Sequence, residues 1–301
     1  MTDPLTDLVG LIRPRAVLWK RIECAGRWAI RFPADSDITF GTVTQGGCYL
    51  LRGDTVLELS TGDFLLLCGQ SDFSFASDPR IRPMDGEALL ADSPDNTITI
   101  RSGTEDPVRL VGGNFLLDAA NSSLVLDLAP DLVHLRGTDG IGRIAHLLDL
   151  ISDEAAADRP GGDFVLTRLV EIMLVEALRG RPTGLGAPRR GLLSGLSDPP
   201  IAAALRAVHG DVRRAWTVAD LAATAHLSRS VFAARFADRV GATPMSYLLE
   251  WRMALAKDAL GKGDRTIDEV AHSVGYGSAS AFSTAFHRVT GFPPGRYAAQ
   301  R

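Results

Sequence analysis

The first third of the chain alternates short apolar runs with glycine-bearing turns. ITFGTVT (38–44) leads through Gly46 and Gly47 to CYLLR, then through Gly53 and Asp54 to TVLEL, then through Thr61, Gly62 and Asp63 to FLLL. A Gly-Asp pair between β-rich runs predicts a hairpin. Further runs at 97–101 (TITIR) and 108–117 (VRLVGGNFLL) extend the series. Many short strands at this spacing predict an antiparallel sandwich or barrel.

Near residue 139 the period changes. Ile141, Ile144, Ala145, Leu147, Leu148 and Ile151 fall on one helical face. Pro160, Gly161 and Gly162 end that helix, and FVLTRLVEIMLVEALR (164–179) predicts a second. Phe164, Leu166, Leu169, Val170, Met173, Leu174 and Ala177 make its apolar stripe wider than one narrow seam, which favours a two-fold helical interface between subunits over a simple cover for the sheet. Residues 180–198 are rich in glycine and carry prolines, the composition of a linker.

From Pro199 the pattern is almost wholly helical and supplies its own caps. Thr217 caps a helix holding Val218, Leu221 and Ala222. Ser228 caps the next, in which Val231, Phe232, Phe236 and Val240 are expected to face a core. Gly241 and Pro244 bracket the start of a longer helix, MSYLLEWRMALAKDAL. Thr266 and Glu269 form a capping box, Ser278 caps a last helix, and Gly291 with two prolines stops it.

This region repeats itself. TVADLAATAHLSRSVFAARF (217–236) aligns with TIDEVAHSVGYGSASAFSTAF (266–286): Leu221 with Val270, Ala222 with Ala271 and, after one inserted residue, Phe232 with Phe282 and Phe236 with Phe286. Each copy reads as helix, tight turn, helix. Ala222 and Ala271 allow a close helix crossing, and His226 and Gly275 occupy turns that require the left-handed region. Two copies on one spacer helix can place their second helices about 34 Å apart, one turn of duplex DNA.

On these residues, 199–301 resembles the DNA-binding domain of the AraC/XylS transcription regulators. The resemblance implies sequence-specific binding of double-stranded promoter DNA, RNA polymerase as a partner, and an attached effector or dimerisation domain. It places base-facing positions at Ser230, Ala233 and Ala234 in the first unit. In the second it places them at Ala279, Ser280, Ser283 and Thr284, with Ser278 at the helix start. Many relatives carry a long polar side chain where Ala234 and Thr284 stand. Without an arginine for bidentate guanine contact, reading would fall to alanine against thymine methyls, hydroxyls, waters and DNA shape. Arg229, Arg265 and Arg288, with Arg213, Arg214 and Arg296, are candidates for phosphate contacts.

Charge is partitioned in the same sense. The net charge is −4, yet residues 199–301 hold 13 Lys+Arg against 8 Asp+Glu. A basic C-terminal third on an acidic body fits a polyanionic partner. No apolar run reaches the ~18–20 residues of a membrane span. MTDPLTDLVGLIRP has no basic n-region, so a cytoplasmic protein is expected.

The N-terminal half, through DPLTDLVGLIRPRAV, WAIRFP and TGDFLLL, is similar to the cupin-like sensor that precedes this DNA-binding domain in one AraC subgroup. Catalytic cupins hold a metal on closely spaced histidines and a glutamate. Here FGTVTQGGCYL and CGQSDFSFASD lack histidine, and only His134 and His146 occur in this half. No metal, cofactor or catalytic residue is therefore expected. A metal-dependent cupin enzyme with a fused DNA-binding tail and a non-specific architectural DNA binder remain as alternatives.

Aromatic residues are candidates to line an interior, among them Phe32, Phe40, Phe64 and Phe75. Trp19, Cys24, Trp28, Tyr49 and Phe73 form the candidate effector pocket. Cys24, Cys48 and Cys68 fit neither a zinc site nor a disulfide framework. A thiol sensor at Cys24 beside Arg27 stands against the commoner role of buried hydrophobe.

The expected fold class is α+β multidomain. A cupin-like antiparallel β-barrel (1–137) precedes a helical dimerisation segment (138–180), a linker (181–198) and an all-α domain (199–301) with helix-turn-helix units at 217–240 and 266–290. A small-molecule or redox signal would control a homodimer formed through 139–179.

Overall fold

A computed structural model describes residues 3–12, 16–33, 38–69, 71–91, 93, 96–116, 131–137, 142–157, 159–179 and 190–299. The chain divides into two compact units, one β-rich and one helical.

The β-rich unit contains β1 (Ala16–Ala25), β2 (Ala29–Phe32), β3 (Ile38–Gln45), β4 (Gly47–Arg52), β5 (Thr55–Ser60), β6 (Phe64–Cys68), β7 (Phe73–Ala76), β8 (Met84–Asp85), β9 (Thr97–Arg101), β10 (Val108–Leu116) and β11 (Leu132–Leu135). The hairpin expected at Gly53 and Asp54 is present. Arg52 pairs with Thr55, and Gly53 takes a positive φ of 54°.

Of the expected antiparallel sandwich or barrel, two facing sheets are present, and among the described residues they do not close into a barrel. The strands make a six-stranded sheet, β11-β6-β3-β10-β1-β9, and a five-stranded sheet, β5-β4-β7-β2-β8. Two pairings, β1 with β9 and β2 with β8, are parallel. Each adds an edge strand, β9 to the first sheet and β8 to the second. Between them lies a core that includes Ile22, Cys24, Trp28, Ile30, Leu50, Leu65, Leu67 and Phe75.

One buried carboxylate ties the turn before β6 to β11 and the residues after it. Asp63 accepts from the Ser60 backbone N–H at 3.1 Å and the Gly137 N–H at 2.9 Å, and pairs with Nε2 of His134 at 3.0 Å. His134 is thus a structural partner, while His146 is exposed on a helix. Helix α2 (Gly86–Ala91) follows β8. Helices α3 (Gly142–Ala157) and α4 (Gly162–Arg179) pack together and bury Ile144, Leu148, Ile151, Val170, Met173, Leu174 and Ala177. Ile141, expected on the α3 face, lies outside the described residues.

The helical unit holds α1 (Pro4–Ile12), α5 (Leu192–Leu196), α6 (Pro199–Gly210), α7 (Val218–Thr224), α8 (Arg229–Val240), α9 (Pro244–Lys262), α10 (Ile267–Ser273), α11 (Ala279–Thr290) and α12 (Pro294–Ala299). Two of these differ from the expected domain plan. Helix α1 falls inside the span assigned to the sensor, yet it packs in the helical unit and buries Leu5, Leu8, Val9 and Leu11. Its Asp7 meets Nδ1 of His209 at 2.9 Å, and the Nε2 of that histidine meets the Tyr247 hydroxyl at 2.7 Å. The His209 ring lies 4.2 Å from Trp251.

Helix α5 falls inside the expected linker. Leu192 is fully buried, and a Cβ on Gly195 would stand 2.9 Å from both Leu205 and Val240. That glycine lets two helices touch and has no linker function. Residues 180–189 of the expected linker lie outside the described residues.

Candidate nucleic-acid interface

The reading surface is built from caps inward. Thr217 and Asp220 close a full capping box, as do Thr266 and Glu269. In both boxes the threonine hydroxyl and backbone N–H donate to the carboxylate and hold its pKa below the usual carboxylate range. The two turns match as expected: His226 has φ 54° and Gly275 φ 84°. Ser228 accepts from the Val231 N–H at 3.4 Å and Ser278 from the Ala281 N–H at 3.2 Å, so each second helix starts at a serine. Gly241 and Gly291 end them in left-handed conformation.

Helices α8 and α11 each have twelve residues and one buried stripe. Phe232, Phe236 and Val240 anchor the first; Phe282, Ala285 and Phe286 anchor the second. The phenylalanine rings in each pair lie 5.6 Å and 5.4 Å apart. The opposite arcs are open. Arg229, Ser230 and Ala234 are exposed and Ala233 half-buried on α8, while Ser280, Thr284 and Arg288 are exposed and Ala279 and Ser283 half-buried on α11. Ser280, Ser283 and Thr284 share one face by their spacing. The Thr284 hydroxyl donates to the Ser280 carbonyl at 3.1 Å, which leaves its lone pairs and methyl group outward. Ser278, among the candidate contacts, spends its hydroxyl on the cap.

Two residues differ from expectation or were missed. Val231, expected in the core, is 52% exposed because it lies one position off the 232–236–240 stripe; it shares a face with Ala234. His287 is exposed one turn beyond Thr284. The hydrophobicity of Val231 gave the wrong signal, and spacing from Phe232 would have given the right one.

The arginines divide into engaged and open groups. Arg235 and Arg239 of α8 bind the buried Asp198 at 2.8 Å and 3.3 Å. Arg214 lies over the Trp216 ring at 4.1 Å, and Arg296 over Phe292 at 5.4 Å. Arg213, Arg229, Arg265 and Arg288 are exposed.

In the β-rich unit an apolar cavity, partly open to solvent, is lined from both sheets. Its wall comes from Ile22, Phe32, Pro33, Phe40, Gly41, Phe73, Phe75 and Leu110, with Thr39, Asn114 and Lys20 as polar members. Lys20 is 3.6 Å from Glu87, and Thr39 donates to Asn114 at 3.0 Å. Of the five candidate effector residues, Phe73 lines this cavity. Cys24 and Trp28 belong to the packed core, and Tyr49 is half-buried outside the cavity wall. The Trp19 side chain lies outside the described residues.

All three thiols are buried, and burial pushes each up to about 12. For Cys24, burial raises the pKa most, the Glu23 charge adds to the rise, and a hydrogen bond with the Ile100 backbone opposes it. Among the described residues no group of three His, Cys, Asp or Glu could hold a metal ion, and no helix is long and apolar enough to cross a membrane.

Two capped helix-turn-helix units on one spacer helix, each presenting a small polar arc, define a DNA-binding protein. A cupin family model matches residues 3–181, and a helix-turn-helix domain model matches residues 221–300. A putative AraC-like transcription regulator of Streptomyces lividans is 40% identical over 98% of this chain and 97% of its own. One of Streptomyces antibioticus is 38% identical over 98% of each. The solved DNA-binding domain of AdpA, in complex with a target DNA, is 32% identical; it covers 34% of this chain and 92% of its own at a TM-score of 0.33. The chain belongs to the AraC family of transcription regulators, with a cupin-like N-terminal domain and a helix-turn-helix C-terminal domain.

Proposed function

We propose that this regulator reads two neighbouring elements of a promoter with α8 and α11, under control of a small apolar effector held between the sheets of its β-rich unit. It acts in the cytoplasm, where its DNA and RNA polymerase are found. The observation that carries the reading is the matched exposure of the two arcs. Ser230 and Ala234 are exposed with Ala233 half-buried beside them, and Ser280 and Thr284 are exposed with Ala279 and Ser283 half-buried beside them. Arg229, Arg265 and Arg288 supply phosphate contacts around them.

The cavity supports the effector. Its wall is almost wholly apolar, and Lys20 is the charged member among the described lining residues. A molecule that prefers one arrangement of the protein would shift the population of DNA-competent chains. A thiol signal has less support, because the three cysteines are buried and their thiolates disfavoured. We assign sensing to the β-rich unit and DNA binding to 199–301; α1 and α5, which fall inside the expected 1–137 sensor and the expected linker, group with the helical unit instead.

Of the stripe expected at a subunit interface, Val170, Met173, Leu174 and Ala177 are buried within the chain, so a homodimer through α3 and α4 is supported by other apolar side chains left in water, with Phe164 retained from the stripe. Phe164 is 68% exposed, Ile172 49%, Val165 41% and Leu150 40%. Such a patch on paired helices is matched by a second copy of itself.

The DNA reading is tested by titrating the full-length protein against a duplex selected from a random pool and against a scrambled one. Preference for the selected duplex is expected to be about 10³-fold or more. Arg229→Ala should weaken binding to both duplexes and lower the salt slope by about one. Ser280→Ala should narrow the preference while leaving scrambled binding unchanged. Equal binding to both duplexes by the native protein would contradict specific reading.

For the effector, a Cβ on Gly41 meets nothing closer than 3.9 Å, so Gly41→Val should fold and fill the cavity. Aliphatic and aromatic small molecules that raise the melting temperature of the native protein should not raise that of the variant. Equal stabilisation of both would remove the cavity from the account. Sedimentation velocity tests the dimer: the native chain should sediment as a dimer and Phe164→Asp as a monomer. A native monomer at micromolar concentration would refute it.

A further inference from the structure

Three consecutive residues of α9 point to three different places. Trp251 packs against His209 beside the first helix-turn-helix core. Met253 belongs to the second core, with Val270, Ala271, Phe282 and Phe286. Arg252, between them, belongs to neither.

Its half-buried guanidinium bonds backbone on one side of the spacer helix and faces an aromatic ring on the other. Nε and Nη2 donate to the Val212 carbonyl at 3.0 Å and 2.9 Å, and Nη2 also donates to the Arg214 carbonyl at 2.8 Å. Those carbonyls lie in the loop that leads into α7, the first helix of unit one. The loop is itself held, since the Trp216 indole N–H donates to the Asp211 carbonyl at 2.8 Å. On the other side the guanidinium lies 5.8 Å from the ring of Tyr276, in the turn between α10 and α11 of unit two.

The contact is closed by backbone. A Cβ on Gly275 would stand 2.7 Å from both Nη2 of Arg252 and the Arg213 carbonyl. The turn of the second unit is therefore pressed onto the entry loop of the first, with one arginine between them. Each unit has its own hydrophobic core, so neither core needs this joint to form.

We propose that Arg252 is a positioning residue that locks the two helix-turn-helix units together and so fixes the spacing of the two DNA elements they read. The inference rests on the two-element reading above. A planar cation suits this role because its several N–H groups can satisfy two carbonyls and face a ring at once. Lysine carries a single donor group on a flexible stem and cannot hold both sides in one geometry.

The test uses the full-length protein and the duplex selected from a random pool. Two derivatives are added: one with two base pairs inserted between the elements, and one with a single element scrambled. The native protein should bind the inserted duplex at least roughly tenfold more weakly, because insertion moves the second element along and around the groove. Arg252→Met should bind the selected duplex about tenfold more weakly than the native protein, the cost of lost charge-assisted bonds. Its insertion penalty should shrink, and its binding to the single-element duplex should match that of the native protein. Arg252→Lys should fall between.

An Arg252→Met protein with the native insertion penalty would overturn the inference. So would an equal loss on the single-element duplex, which would mark the residue as merely structural. If Arg252→Met fails to melt cooperatively, the same pattern must appear in Arg252→Lys, and a native penalty there overturns the inference. A native protein indifferent to insertion would instead refute the two-element reading itself.

Discussion

Each reading helix is held by two phenylalanines one turn apart, and the rest of the DNA-binding architecture depends on that grip. A twelve-residue helix is marginal on its own. Burying Phe232 and Phe236, or Phe282 and Phe286, contributes roughly 1.5–3 kcal/mol per ring. The anchoring stripe fixes which residues face outward, so the arc around Ser230 and Ala234 and the arc around Ser280 and Thr284 follow from where the rings sit. The serine caps and left-handed glycines then set where each helix begins and ends. Arg235 and Arg239 add an electrostatic brace by turning toward the buried Asp198, away from the open arc.

Local chemistry was legible in the sequence, and long-range pairing was not. The capping box at Thr266, the hairpin at Gly53 and the left-handed turn at His226 are each decided within a few residues, and each is found. The duplicated unit gave both reading helices. In contrast, α1 joins the helical unit through a contact between Asp7 and His209, residues far apart in the chain. No period or propensity encodes that pairing. Gly195 misled for a different reason: glycine marks a flexible linker by composition and a close helix approach by geometry, and only the neighbours Leu205 and Val240 distinguish them. The parallel pairings of β9 with β1 and of β8 with β2 join residues far apart in the chain, which alternation of apolar residues cannot signal.

At the sites, the candidate DNA residues Arg229, Ser230, Ala234, Arg265, Ser280, Thr284 and Arg288 are all exposed, because helical spacing from a buried phenylalanine or position in a polar loop decides it. Effector residues were harder to read. Residue type named Cys24, Trp28 and Tyr49, but Cys24 on β1 and Trp28 in the turn before β2 lie in packed core, and Phe73 lines the cavity. Lys20, Gly41 and Asn114, which also line the cavity, are of types that carry no such signal in sequence. The proposed reading of DNA with hydroxyls and methyl groups in place of long side chains demands a closely held backbone, and the two helix anchors and the Arg252 bonds to the Val212 and Arg214 carbonyls support it.

Hydroxyl-radical footprinting of the full-length protein on its selected duplex tests the central claim most directly. The account predicts two protected stretches on one face of the DNA, their centres about 34 Å apart, one helical turn. A single protected stretch, or uniform weak protection along the duplex, would contradict it.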